Sequence, residues 1–214
     1  MLFDVTHGKL AAIFGEDRLA FLPSDAFAPA AADSAGARLL RTVGVPAEAL
    51  WPREPDAESG RLPLVRDVVD TDDFEDAPQD SGEWPVIGWL LNAHLALDPV
   101  SGKVYAFDLD EDSATELHAD VSSLIHVTVR FQRLLEEFTF SDHDDEADED
   151  DDVAREEADF ERLEHEVERI RQETSALDPL PFQDDETAWS VIAGEIAAGQ
   201  HFAGDSPGAR SLYG

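Results

Sequence analysis

The apolar positions of this chain follow two different periods. Between Trp84 and Phe107 they form short runs broken by turn residues. Trp84 to Leu91 is an apolar run of high strand propensity, and Leu95 and Leu97 alternate with smaller neighbours. Asp98-Pro99-Val100-Ser101-Gly102 spells a turn: Asp and Pro open it, and Gly102 supplies a left-handed position. Val104 to Phe107 then returns as a strand, which predicts three strands in a tightly connected meander. Asp108 to Thr115 reads as a further acidic turn. Arg18 to Leu22 and Leu62 to Val69 read as strands upstream, and Asp70 to Gly82 as an acidic loop.

Elsewhere the spacing is helical. Thr6 caps a short helix through Leu10, Ile13 and Phe14 that Gly15 closes. Asp33 or Ser34 caps a second one, carrying Leu39, Leu40 and Val43; Gly44 stops it and Pro46 prevents its resumption. Asp120 or Ser122 begins the clearest helix, with Leu124, Val127, Phe131, Leu134, Leu135 and Phe138 on one face. A third stripe, Phe160, Leu163, Val167 and Ile170, predicts a helix over Val153 to Gln172. Trp189, Ile192, Ala193 and Ile196 predict a last short one behind Asp184 to Glu186.

Between these helices the composition changes abruptly. Nine of the eleven residues from Asp142 to Asp152 are acidic. Like charges at that density repel and leave no apolar face to bury, so disorder is expected there. The predicted architecture is α+β: a central, mostly antiparallel sheet flanked by helices, with an acidic helical insertion before the C-terminal helix. Its domain spans 1–140 plus 178–200, its insertion 141–177, and a loose tail 201–214.

Charge narrows the function. The 214 residues hold 49 acids and 15 bases, a formal net charge of −34. Phosphate neutralisation needs clustered Lys and Arg, so direct nucleic-acid binding is not expected, nor is docking on an anionic membrane. Screening by high salt is an alternative reading of such acidity, as in a salt-adapted proteome. The chain has no cysteine, which excludes thiolate metal sites and a Cys nucleophile and fits a reducing cytoplasm. It has neither a signal-peptide pattern nor an apolar run of the roughly 18 residues that a membrane span needs.

The search for chemistry returns little. There is no phosphate-binding glycine loop, G-x-S-x-G elbow or H-E-x-x-H. The seven histidines are scattered; His94 and His126 read as packing residues. Asp108-x-Asp110-x-Asp112 resembles the opening of a calcium loop, but Ser113 stands where the turn glycine belongs and Ala119 where the closing Glu belongs. No catalytic residue, metal site or cofactor is therefore expected. Trp51, Trp84, Trp89 and Trp189 each read first as core, with an interface role as the alternative; Trp84 and Trp89 bracket a strand start.

Several segments together resemble one family. Leu39-Leu40-Arg41-Thr42-Val43-Gly44-Val45-Pro46 resembles the segment that opens SUKH-type immunity proteins. Ile87-Gly88 and the run Leu95-Ala96-Leu97-Asp98-Pro99-x-Ser101-Gly102-Lys103-Val104-Tyr105 resemble their central strands. Ser122-Ser123-Leu124, opening a long helix, resembles the family's Asn-Ser-Ser-Leu motif, with Val121 in place of the Asn. The match is to the fourth, actinobacterial-type branch, which is SMI/KNR-like. The resemblance implies an α+β domain that binds and neutralises a toxin domain, often a nuclease or nucleic-acid deaminase, and it supplies no catalytic residue. Its motif residues Gly44, Pro46, Gly88, Asp98, Pro99, Gly102, Ser122 and Ser123 are expected to be structural.

A cognate toxin domain with a basic surface is thus the expected partner, captured by complementary charge. The expected contact surface is Asp72, Asp73, Asp108, Asp110, Glu111 and Asp112, with Trp51 and Trp84 as anchors. In one variant of this reading the run Asp142 to Asp152 mimics nucleic acid; as a plain alternative it is a solvated linker. The second class is an intracellular scaffold of the same superfamily, in which the Phe160–Ile170 stripe pairs with a partner helix. The third is a metal-dependent hydrolase using scattered carboxylates. Oligomeric state is open.

Overall fold

The computed structural model describes residues 1–202 apart from 48, 53–54, 57–58, 75 and 142–148. Helix α1 (His7–Phe14) begins where Thr6 accepts a hydrogen bond from the backbone N–H of Lys9. After a 3-10 turn, the two-residue strand β1 (Leu19–Ala20) follows. The short α2 (Pro29–Ala32) leads to α3 (Ala35–Thr42), where Ser34, of the two candidate caps, accepts from the N–H of Ala37 at 3.2 Å. Gly44, at φ 77°, lets the chain reverse into β2 (Val45–Pro46), which pairs antiparallel with β1.

Leu62 to Val69 is not a strand. Pro63 has no N–H to give to a ladder, and Asp67 accepts from the N–H of Leu64 at 2.9 Å, starting one helical turn, α4 (Val65–Val68). Leu64 alone keeps a strand-like bridge, to Pro85. The main sheet then follows: β3 (Val86–Leu90), β4 (Ala93–Leu97), β5 (Val104–Asp108) and β6 (Ser113–His118), each antiparallel to the last. The meander therefore has four strands rather than three. The stretch read as an acidic turn ends at Asp112, and β6 begins there. As an edge strand, β6 buries only Ala114, Leu117 and His118, too few apolar residues to register as an alternating pattern.

The three remaining helices are α5 (Val121–Glu137), α6 (Glu149–Ser175) and α7 (Ala188–Ala197), with Asp120 and Thr187 as caps of α5 and α7. One sheet face carries Leu95, Leu97, Val104 and Leu117 into a large core with α1, α3, α5, α6 and α7. The opposite face is covered by the segment between β2 and β3: Val65, Val69, Phe74 and Trp84 pack on Val86, Ala96, Phe107 and Ala114. Strand β4, buried along its whole length, lies between the two layers.

Helix α6 is integral to this core. Leu163, Val167 and Ile170 are buried in the large cluster and Phe160 packs against it. Arg130 of α5 pairs with Glu173 of α6, and the Arg162 guanidinium lies 4.6 Å from the Phe138 ring centroid. The stripe is thus spent inside the protein, which withdraws the support it lent to a partner-helix reading. The disorder expected over Asp142 to Asp152 falls at 142–148 outside the described residues, whereas 149–152 belong to α6. Of the tail, Phe202 packs on Phe138 and Phe140, and 203–214 lie outside the described residues.

Candidate partner-binding surface

The motif residues meet three structural needs: a close approach, a turn and a helix start. Gly88 lies on the helix-facing side of β3, just after a bulge at Ile87. A Cβ there would fall 2.4 Å from the carbonyl oxygen of Trp51 and 2.8 Å from its ring, so only glycine admits Trp51. Trp51 is buried, its indole N–H donates to Thr128 Oγ1 at 2.6 Å, and its carbonyl accepts from the N–H of Trp89. At the far end of β4, the Asp98 carboxylate accepts from the N–H of Val100 at 2.8 Å and from the Ser101 hydroxyl. With Pro99, and with Gly102 at φ 82°, this closes the β4–β5 turn.

Ser122 and Ser123 hold the start of α5. Ser122 Oγ accepts from the N–H groups of Leu2 and Phe3, pinning the N-terminal segment, and donates to Asp120. Burial by itself would raise the Asp120 pKa. Hydrogen bonds from Ser122, Ser123 and Leu2 instead hold it below the ordinary carboxylate value.

Ser123 Oγ lies 3.0 Å from Nδ1 of His118, and the Trp189 indole N–H donates to His118 Nε2 at 2.7 Å. Indole only donates, so Nε2 is unprotonated and the proton sits on Nδ1. Asp178 Oδ2 stands 3.9 Å from that Nδ1 and accepts from the N–H of Ala119. Ser, His and Asp thus meet, yet both acceptors face the same ring nitrogen and all three side chains are buried. No substrate reaches the Ser123 hydroxyl, and the cluster works as a joint between β6, α5 and α7. Burial pushes the His118 pKa down to about 3, only slightly offset by Asp120. Sequence spacing did not find His118, because Trp189 and Asp178 come from a distant segment and only Ser123 lies nearby in the chain.

The acidic residues are placed differently. Asp73 is exposed, and with Asp72 it belongs to the 3-10 turn Thr71–Asp73. The next residue, Phe74, meets Phe107 edge-on at 5.7 Å. Phe107 directly precedes Asp108, whose Oδ1 accepts from the N–H groups of Asp110 and Glu111 at 2.8 and 3.2 Å. Asp110, Glu111 and Asp112 are exposed beyond it. The Phe74–Phe107 contact therefore brings the two acidic turns to the same end of the sheet, 35 positions apart in sequence.

The tryptophans correct the expected anchors. Trp51 and Trp84 are both buried: Trp51 fills the space above Gly88, and Trp84 lies tilted against Tyr105, ring centroids 5.0 Å apart. Neither offers a face to a partner. Trp89, weighed with the others as core or interface, is 39% exposed beside the acidic end. Its register was the available signal, since it pairs with His94 on the loop-covered face, near the sheet's end.

Among the described residues no group of His, Asp and Glu is arranged to hold a metal ion, and no helix is long and apolar enough to cross a membrane. No curated protein and no solved structure matches the chain. The family model of the SUKH-4 immunity protein, however, matches residues 5–195, nearly the whole chain. With its antiparallel meander, its glycine-seated Trp51 and its serine-pinned helix, the chain belongs to the SUKH-4 immunity protein family.

Proposed function

We propose that this protein acts by binding rather than by catalysis: it captures a cognate toxin domain through the acidic end of its sheet and neutralises it. The observation that supports this reading most is the Phe74–Phe107 contact, which draws the turns at Thr71–Asp73 and Asp108–Asp112 toward one end of the sheet, within a family of immunity proteins. A toxin acting on nucleic acid, such as a nuclease or deaminase, presents a basic cleft to phosphate. Exposed carboxylates such as Asp73, Asp110, Glu111 and Asp112 suit that cleft, and a net charge of −34 draws it in from a distance.

The test starts with co-expression of this protein and the C-terminal domain encoded by the neighbouring gene, scored by survival and co-purification. A domain that kills alone, and is both rescued and retained by this protein, is the expected result. A harmless or unbound neighbour would count against the reading. The surface is then tested by combining Asp73→Asn, Asp110→Asn, Glu111→Gln and Asp112→Asn. Association at low salt should slow about tenfold or more, and its dependence on salt should flatten. An association rate indifferent both to ionic strength and to these four changes would remove the acidic turns from the contact.

A further inference from the structure

The acidic end of the sheet also displays apolar side chains under conditions that ordinary folding does not favour. The loop between β3 and β4 has two residues, Leu91 and Asn92, because Leu90 pairs directly with Ala93. Leu91 adopts φ 52°, the left-handed region, where such loops ordinarily carry Asn, Asp or Gly. Its side chain is 38% exposed, so core packing does not explain the choice of leucine. Leu109 is 41% exposed, and its N–H donates to the Asn92 carbonyl at 3.2 Å. The Asn92 side-chain amide donates to Asp110. Trp89, two residues before Leu91, presents its ring edge-on to His94 at 4.2 Å. The β3–β4 and β5–β6 loops are thus tied into one tip, with three exposed apolar side chains beside Asp108, Asp110, Glu111 and Asp112.

We propose that Trp89, Leu91 and Leu109 form the anchor of the partner interface, and that they fit an apolar recess rimmed by basic residues on the partner. This rests on the toxin-binding reading and divides its labour: the carboxylates speed the encounter, and the apolar trio holds the complex. Charge selects the occupant. A second copy would bring its own carboxylates against these, and phosphates or an anionic membrane would be repelled likewise. A basic protein surface is attracted. Strain at Leu91 points the same way: a residue held in a disfavoured backbone region at the surface serves binding rather than stability.

The probe is the purified toxin domain from the co-expression test, with binding kinetics measured on Trp89→Ala, Leu91→Asn and Leu109→Ser. Val100→Ser is the control; Val100 is 94% exposed in the β4–β5 turn at the other end of the strands. Each apolar variant should dissociate about tenfold faster or more, with association little changed, and the control should bind as the unaltered protein does. Leu91→Asn carries a second readout. Asn tolerates the left-handed region better, so its melting temperature should hold or rise while binding weakens. If the unaltered protein binds and all three variants bind equally well, the anchor is overturned and the toxin-binding reading survives. If the unaltered protein does not bind, both fall. Self-association that Trp89→Ala abolishes would assign the patch to a second copy and overturn the proposal too.

Discussion

Replacing Gly88 by alanine should cost this protein about 3–5 kcal/mol, an unusual loss for one methyl group. The new Cβ would meet the Trp51 carbonyl at 2.4 Å and its ring at 2.8 Å. The ring is no flexible end that swings aside: it is buried and its indole N–H is committed to Thr128. Moving the carbonyl would break its hydrogen bond to the N–H of Trp89, 2.8 Å long, and the bridge from Pro52 to Gly88. Overpacking costs roughly 1–3 kcal/mol and a buried hydrogen bond left unmade about as much again. The comparison is Gly102→Ala. That Cβ meets nothing within 4 Å, so only its φ of 82° is penalised, at about 1 kcal/mol. Urea denaturation of both variants decides the matter. A Gly88→Ala variant no less stable than Gly102→Ala would mean that Trp51 does not depend on this glycine.

Stability should also fall as the solution is acidified from neutrality, through His118. In the unfolded chain this histidine takes up its proton near its ordinary value of 6.5; in the folded protein it stays neutral down to about pH 3. Above pH 6.5 both states are neutral and the full stability is present. Between those limits the unfolded state binds one proton more, so each unit of acidification costs about 1.4 kcal/mol. Down to about pH 4.5 the loss from this residue is roughly 2.7 kcal/mol. Protonating Nε2 would also sever the bond from Trp189, which stacks on Phe131 at 5.8 Å. His126, held down to about 4 by burial and by Arg130, steepens the slope further. The depressed carboxylates Glu116, Asp120, Asp159 and Glu173 act in more acidic solution.

His118→Gln isolates the effect. The variant should be less stable at neutral pH and lose about one proton's worth of slope between pH 6.5 and 4.5, whatever the other groups contribute. Two denaturation series across that range are sufficient. Parallel slopes for the two proteins would show that His118 is not held neutral by the fold.

Local pattern was enough for most of the elements. Thr6 and Asp120 marked helix starts because an N-cap is satisfied within three residues of itself. The β4–β5 turn was legible for the same reason: Asp98, Pro99 and Gly102 act within their own five residues. The long stripe of α5 and the narrower one of α6 needed only helical periodicity. The family resemblance likewise rested on short segments whose order along the chain could be read directly, and the family match covers them.

Where the reading failed, the deciding contact was distant in sequence. Leu62 to Val69 has strand-like composition, but only Pro63 and Leu64 touch the start of β3; the Val65 N–H donates to the Trp84 carbonyl, and Val65 and Val69 pack on the outer sheet face. Strand β6 was missed because β5 supplies its pairing, which excuses it from an apolar pattern of its own. Composition could not rank four tryptophans by exposure. Gly88 seats Trp51 inside, Tyr105 covers Trp84, His118 holds Trp189, and the sheet's end leaves Trp89 in the open.

The sequence by itself therefore determined the acidity, the turns, the caps and the class of fold, all properties carried by adjacent residues. Only the tertiary structure decided which segment packs on Phe107, which tryptophan meets solvent and why His118 is neutral. Those properties belong to pairs such as Phe74 and Phe107, or His118 and Trp189, which the chain brings together only when it closes its core.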